Sequence, residues 1–195
     1  MDIILASQSP RRKELLHQMG LRGFRIISPQ VDETVDERLP PSRMVEELSL
    51  RKARAVARQA REDDLIIAAD TVVALEGAVL GKPRDEGEAF AMLSALSGNR
   101  HRVYTGVTVL RGERALTRCE ATSVTFRELE SEEISHYIAT GEPMDKAGAY
   151  GIQGLGALLV SSLEGDYFNV MGLPVFRLGR MLAEFGLDLL ELAAR

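Results

Sequence analysis

Two short runs, Ile3-Ile4-Leu5-Ala6 and Leu65-Ile66-Ile67-Ala68-Ala69, are apolar at every position rather than at alternate ones. A strand without polar alternation is covered on both faces, as parallel strands inside an α/β sheet are. Such strands need helices around them, and the sequence supplies the helices. Leu15, Leu16 and Met19 mark one that ends at Gly20, and Met44, Val45, Leu48 and Val56 mark a second behind Pro40-Pro41-Ser42. Ala89, Met92, Leu93 and Leu96 stand at i, i+3, i+4 and i+7 and stop at Ser97-Gly98. From Val103 the period changes to two, with Val103, Thr105, Val107 and Val109 alternating with Tyr104, Gly106, Thr108 and Leu110. A hairpin through Arg111-Gly112-Glu113 then leads to a strand ending near Thr122, Val124 and Phe126. Ser131 reads as the N-cap of a further helix, with Glu132 and Glu133 in its first turn and Gly141 beyond its end. Leu178, Met181, Leu182 and Phe185 mark the last helix, between Pro174 and Gly186. The expected fold is one α/β domain over residues 1–195. Its sheet is mixed and twisted, with flanking helices and an insertion of antiparallel strands.

Composition narrows the partners. Of 195 residues, 45% are hydrophobic, enough for a sizeable core. The 24 Lys and Arg against 29 Asp and Glu leave a net charge of −5, which argues against a surface that coats a nucleic acid polymer or an acidic membrane. An anionic ligand must then be held by a local basic cluster. The longest stretch free of charge, Ala147 to Leu163, has 17 residues with four glycines, Gln153 and two serines, short of the ~20 apolar residues of a membrane span. The opening Met1-Asp2-Ile3-Ile4-Leu5-Ala6-Ser7 matches neither a signal nor a transit peptide, so a cytoplasmic location is expected. Cys119 is the single cysteine and reads as a strand residue, and the three histidines have no zinc-ligand spacing.

The chemistry concentrates in a few stretches. Ser7-Gln8-Ser9-Pro10-Arg11-Arg12-Lys13 joins the first apolar strand to a helix capped by Ser9 with Pro10 at N1. Three cations in a first helical turn oppose the helix dipole by roughly 0.3–1 kcal/mol each, and a bound anion reverses the sign of that cost. The alternative is that all three side chains lie in water. Asp70-Thr71 follows the second apolar run, so a buried strand is expected to end in a carboxylate beside Ser7, at the sheet edge where α/β ligands bind. There Asp70 could hold a divalent metal and orient or deprotonate water, or it could cap a turn with Thr71. Asp32-Glu33 offers a second carboxylate of the kind that magnesium accepts. Lys52 and Lys82, the latter in Gly81-Lys82-Pro83, add cations, and neither a Walker loop nor a dinucleotide-binding Gly-x-Gly-x-x-Gly is present. Asp145 through Gly154 is glycine-rich and carries Gln153, whose amide can both donate to and accept from a base edge, or it is a turn with no ligand. Tyr167-Phe168-Asn169-Val170 reads either as another polar lip or as core.

Taken in order, Ser7-Gln8-Ser9-Pro10-Arg11-Arg12, Lys52-Ala53, Ala69-Asp70-Thr71, Gly81-Lys82-Pro83, Ser97-Gly98, His101, Val103, Thr105-Gly106-Val107, Lys146 through Gly154 and Gly172-Leu173-Pro174 resemble the Maf family of nucleoside triphosphate pyrophosphatases. The resemblance implies an inosine-triphosphatase-like α/β fold with a cleft between two lobes, a homodimer and a divalent cation, Mg or Mn. It implies Asp70 as the catalytic acid–base, Ser7, Arg11, Arg12, Lys52 and Lys82 on the phosphate side, and Glu33 with Asp70 at the metal or its water. Arg11, Thr71 and Gln153 resemble the branch that hydrolyses dTTP and UTP, with modified pyrimidine nucleotides as further candidates, rather than the branch acting on 7-methylguanosine triphosphate. A different class, a non-catalytic nucleotide-binding regulator, also follows from the family's link with septum formation and cell division.

Overall fold

The computed structural model describes residues 1–36 and 38–194. Strand β1 (Ile3–Leu5) runs into helix α1 (Pro10–Gln18), and the short strand β2 (Arg25–Ile26) returns to pair with β1 in parallel. Helix α2 (Pro41–Ala57) follows, then the long strand β3 (Leu65–Leu75), which pairs in parallel with β1 and turns back into β4 (Ala78–Leu80). Helix α3 (Glu86–Leu96) leads to the hairpin of β5 (Arg100–Arg111) and β6 (Arg114–Phe126). Helix α4 (Ser131–Ala139) is followed by three short 3-10 turns and by β7 (Val160–Glu164), which pairs with β6. Helices α5 (Tyr167–Met171), α6 (Val175–Glu184) and α7 (Leu189–Ala193) close the chain. The sheet order is β2-β1-β3-β5-β6-β7 with β4 attached to β3, parallel at the β2-β1-β3 side and antiparallel elsewhere.

The continuous apolar runs do serve two faces. Ile4, Ala6, Ile66 and Ala68 pack with Ala53 and Val56 of α2, whereas Leu5, Leu65, Ile67 and Ala69 pack with Leu15 and Leu16 of α1 and Leu178, Met181 and Leu182 of α6. Each such fully buried leucine or isoleucine contributes about 1.5–3 kcal/mol relative to exposure. Further along that second face, Val73 and Val103 join a separate core with Leu93 and Leu96 of α3 and Ile134 and Ile138 of α4. Odd-numbered residues of β3 point to this face. Ala69 therefore belongs to one body and Val73 to the other, with Thr71 between them.

Asp70 does not end its strand. β3 continues to Leu75 because β5 accompanies it throughout, with Asp70 opposite Gly106 and Ala74 opposite Arg102. What ends at this level is β1. Its register with β3 stops at Leu5 opposite Ile67, with one further bond from the Ala6 N–H to the Ile67 carbonyl, and β4 covers the same edge only from Val73 onward. Asp70, Thr71 and Val72 face a window between two partner strands. The helix near 131 also starts differently. Its N-cap is Glu130, because the Glu133 carboxylate accepts from the Glu130 N–H at 3.0 Å, which makes Ser131 the first helical residue. The stretch after Gly165 is helix α5 and not an open lip, since Asp166 caps it through the N–H groups of Phe168 and Asn169, and Asn169 is fully buried.

Candidate active site

Lys52 and Asp70 meet because α2 lies close against the sheet. A Cβ at Gly106, the partner of Asp70, would stand 2.1 Å from the Val45 carbonyl oxygen of α2, so only glycine lets the helix rest there. Lys52 follows Val45 by two turns on the same buried side. Its ammonium, on a residue 8% exposed, donates to Asp70 Oδ1 at 2.5 Å and lies 2.7 Å from Glu33 Oε1. One buried cation thus joins two carboxylates from separate elements. Removing Lys52 would strand the Asp70 carboxylate in a low dielectric, and removing Asp70 would leave the buried ammonium with only the exposed Glu33. The hydrogen bond from Lys52 holds the Glu33 carboxyl below the usual range, against the opposing effect of partial burial. Arg51 grips the same loop from outside, its Nη1 donating to the carbonyls of Asp32 (2.7 Å) and Thr34 (2.8 Å).

Ser9 caps α1, as its side chain accepts from the Arg12 N–H, and the Arg12 guanidinium turns across the mouth of the window. Its Nε donates to the Gly172 carbonyl (2.8 Å), Nη1 to Ser7 Oγ (3.2 Å) and Nη2 to Thr71 Oγ1 (3.1 Å). All three acceptors are neutral. Among the described residues no carboxylate lies within 4 Å of it. Burial pushes its pKa down, and an arginine still remains charged. A half-buried cation held by neutral oxygens is set up for an anion from outside. The chain of bonds continues in one direction. Thr105 Oγ1 donates to the Asn169 carbonyl (2.9 Å), so Thr71 donates to Thr105 (2.9 Å), and Arg12 donates to Thr71.

The opposite wall carries Gln153 together with the charged Glu142, Asp145 and Lys146. Gln153 is half-buried, and among the described residues its side chain takes no hydrogen bond. Behind it Tyr150 is buried, its hydroxyl 2.8 Å from His101 Nε2. Burial lowers the His101 pKa to about 4, so the imidazole is neutral at pH 7.

Ser7, Arg11, Arg12, Glu33, Lys52, Asp70, Thr71, Lys82 and Gln153 all line one cavity of about 920 Å³. Within it Arg11 faces Asp145 at 3.7 Å, and Lys82 is exposed. The sequence marks Thr105 within a motif and leaves Asn169 between lip and core without a role for either, and it does not single out Tyr137 or Glu142. Tyr137 falls on the apolar stripe of α4 with Ile134 and Ile138 and reads as core; only its hydroxyl hints at more. Glu142 lies three residues ahead of the glycine-rich stretch, in a Gly-Glu-Pro turn that offers no other signal.

A divalent cation fits this donor set. Glu33 and Asp70 converge on one cationic point, and magnesium takes one or two carboxylates and fills its shell with phosphate oxygens and water. Among the described residues no group of three or more His, Cys, Asp and Glu side chains forms a fuller protein cage.

A mixed sheet with a window in its pairing, opening on a nucleotide-sized cleft with cations on one wall and carboxylates at its floor, defines an α/β protein built to take up a polyanion. The family model described as Maf-like protein matches residues 2–185, and the chain belongs to that family. It is 54% identical over 189 residues to a dTTP/UTP pyrophosphatase of Moorella thermoacetica, covering 95% of this chain and 96% of the relative. It is 51% identical over 193 residues to one of a Thermoanaerobacter species (97% and 100%) and 50% identical over 186 residues to one of Bacillus cereus (95% and 96%). Among solved structures, a HAM1 protein from Coxiella burnetii aligns with a TM-score of 0.48 at 19% identity, over 65% of this chain and 73% of that one.

Proposed function

We propose that this chain hydrolyses dTTP and UTP to the nucleoside monophosphate and pyrophosphate. The observation that carries the reading is the facing of Asp70, at the strand window, with Arg12, a cation whose three bonds all go to neutral acceptors. Names of relatives at 50–54% identity over most of the chain support the substrate class.

In this reading water attacks the α-phosphorus, the bond from that phosphorus to the bridging oxygen breaks, and pyrophosphate leaves. Asp70 accepts the proton of the attacking water. Its Oδ1 is held by Lys52, and among the described residues Oδ2 has no protein partner. Arg11, Arg12, Lys82 and the Ser7 hydroxyl offset charge on the phosphate oxygens and on the leaving group. Glu33 and Asp70 would hold a magnesium or manganese ion, which supplies Lewis-acid polarisation of phosphate oxygens. Gln153 reads the uracil or thymine edge, and the wall around it rejects purines through size and unpaired polar groups. The reading includes a homodimer working in the cytoplasm. Among the described residues, no helix is long and apolar enough to cross a membrane.

Product analysis in ¹⁸O-labelled water, with and without magnesium or manganese, tests it. UTP and dTTP should give labelled monophosphate and unlabelled pyrophosphate. Diphosphate plus phosphate, or label in pyrophosphate, rejects attack at the α-phosphorus. Faster turnover of 7-methylguanosine triphosphate rejects the pyrimidine assignment.

A further inference from the structure

No helix or strand holds the segment that carries Gln153; residues 151–153 lie between two 3-10 turns. A carboxylate and a phenol hold it instead. Glu142 Oε1 accepts from the Gly156 N–H (3.0 Å) and from the Tyr137 hydroxyl (2.9 Å), and Oε2 accepts from the Leu155 N–H (3.0 Å). The Tyr137 hydroxyl in turn accepts from the Gly151 N–H at 3.3 Å. Both ends of the segment are therefore tied to one pair of side chains. The loop they close is tight: a Cβ on Gly156 would stand 2.2 Å from the Gly151 carbonyl oxygen and 2.6 Å from the Tyr137 hydroxyl.

The Glu142 carboxylate is reserved for these donors. The neighbouring cation, Lys146, bonds the backbone carbonyl of Glu142 (2.5 Å) and the carboxylate of Asp145 (2.6 Å) instead. Burial acts to raise the Glu142 pKa, and the N–H groups of Gly156 and Leu155 with the Tyr137 hydroxyl outweigh it and hold the carboxyl ionised. Three donors converging on two oxygens need an acceptor-only group. A glutamine would aim an amide N–H at one of them.

We propose that Glu142 and Tyr137 form a positioning pair that sets the base-reading segment Gly151–Gly156, and through it the selectivity among nucleoside triphosphates, without acting on the phosphates. The proposal rests on the assignment of Gln153 to the base.

Glu142→Gln and Tyr137→Phe test it, with two readouts on folded enzyme: the ratio of kcat/KM for UTP over GTP, and inhibition by tripolyphosphate, which has the phosphates and no base. Loss of one charge-assisted bond should lower the ratio about tenfold in Glu142→Gln, through KM for UTP. Losing a neutral hydroxyl should lower it about threefold in Tyr137→Phe, with tripolyphosphate inhibition unchanged in both. An unchanged ratio in both, or inhibition that weakens in step with KM, overturns the proposal. If Glu142→Gln does not melt as a folded protein, Tyr137→Phe decides alone. Gln153→Ala separates the two levels. A ratio that falls there but not in the pair rejects only the positioning role, whereas no change in any of the three variants rejects the base assignment as well.

Discussion

The two walls of the cleft are built on opposite principles. One gathers formal charges whose positions come from regular elements: Arg12 from a capped helix, Lys52 from α2 over Gly106, Asp70 from β3. The other uses its charges to hold its own backbone: Glu142 accepts from two N–H groups and the Tyr137 hydroxyl, and Lys146 pairs with Asp145, with Tyr150 and an uncharged His101 behind. The charged wall has long-range reach and little shape, because Coulomb attraction falls slowly with distance and ignores the identity of a base. The second wall has shape and little reach, because its charges are paired within it. Binding and selectivity should therefore fail separately.

The largest effect expected is at Asp70, where the charged wall meets the floor. Asp70→Asn keeps the size and one bond to Lys52 but removes the proton acceptor, so pyrophosphate release should fall by roughly 10³-fold, within the usual range for a general base. Nucleotide binding, measured by calorimetry, should persist. Unchanged release would remove Asp70 from the chemistry. The next effect concerns charge appearing behind the second wall. His101 is 2% exposed with its pKa lowered to about 4, so the folded state binds fewer protons than the unfolded state between pH 4 and 6.5. Stability should then fall as pH drops through that window, by an amount on the order of 3 kcal/mol from this residue. Denaturant melts of His101→Gln should show a shallower loss over the same range; an equal slope would mean that His101 is not the group responsible. The smallest effect is the one that most sharpens the contrast. Arg12→Met should lower kcat/KM by about 10–100-fold for every triphosphate alike, the scale of hydrogen bonds to a charged group. A loss confined to pyrimidines would place Arg12 on the wrong wall.

How far the sequence disclosed this differs between the walls for the same reason. Ser9-Pro10-Arg11-Arg12 announces a capped helix start and its charges in a single stretch, and the apolar run before Asp70 announces a buried strand; both are local patterns. The continuation of β3 past Asp70 was not legible, because Asp-Thr reads as a turn unless the antiparallel partner β5 is known to run alongside. Glu142 was less legible still. Its role depends on three donors that approach only after the 3-10 turns form, and nothing in Gly141-Glu142-Pro143 distinguishes it from a solvated acid. The sequence left Asn169 open between a polar lip and core; it is core, and its partners Val103 and Thr122 come from distant strands that no local pattern reveals.

Strands β3 and β5 each contribute to both apolar bodies, Ile67 and Val107 to one, Val73 and Val103 to the other. The lobes are consequently not separable modules. A cut inside either strand would orphan residues from both halves at once, so fragment complementation and circular permutation are confined to breaks in the connecting turns, such as those at Gly77 and Gly112.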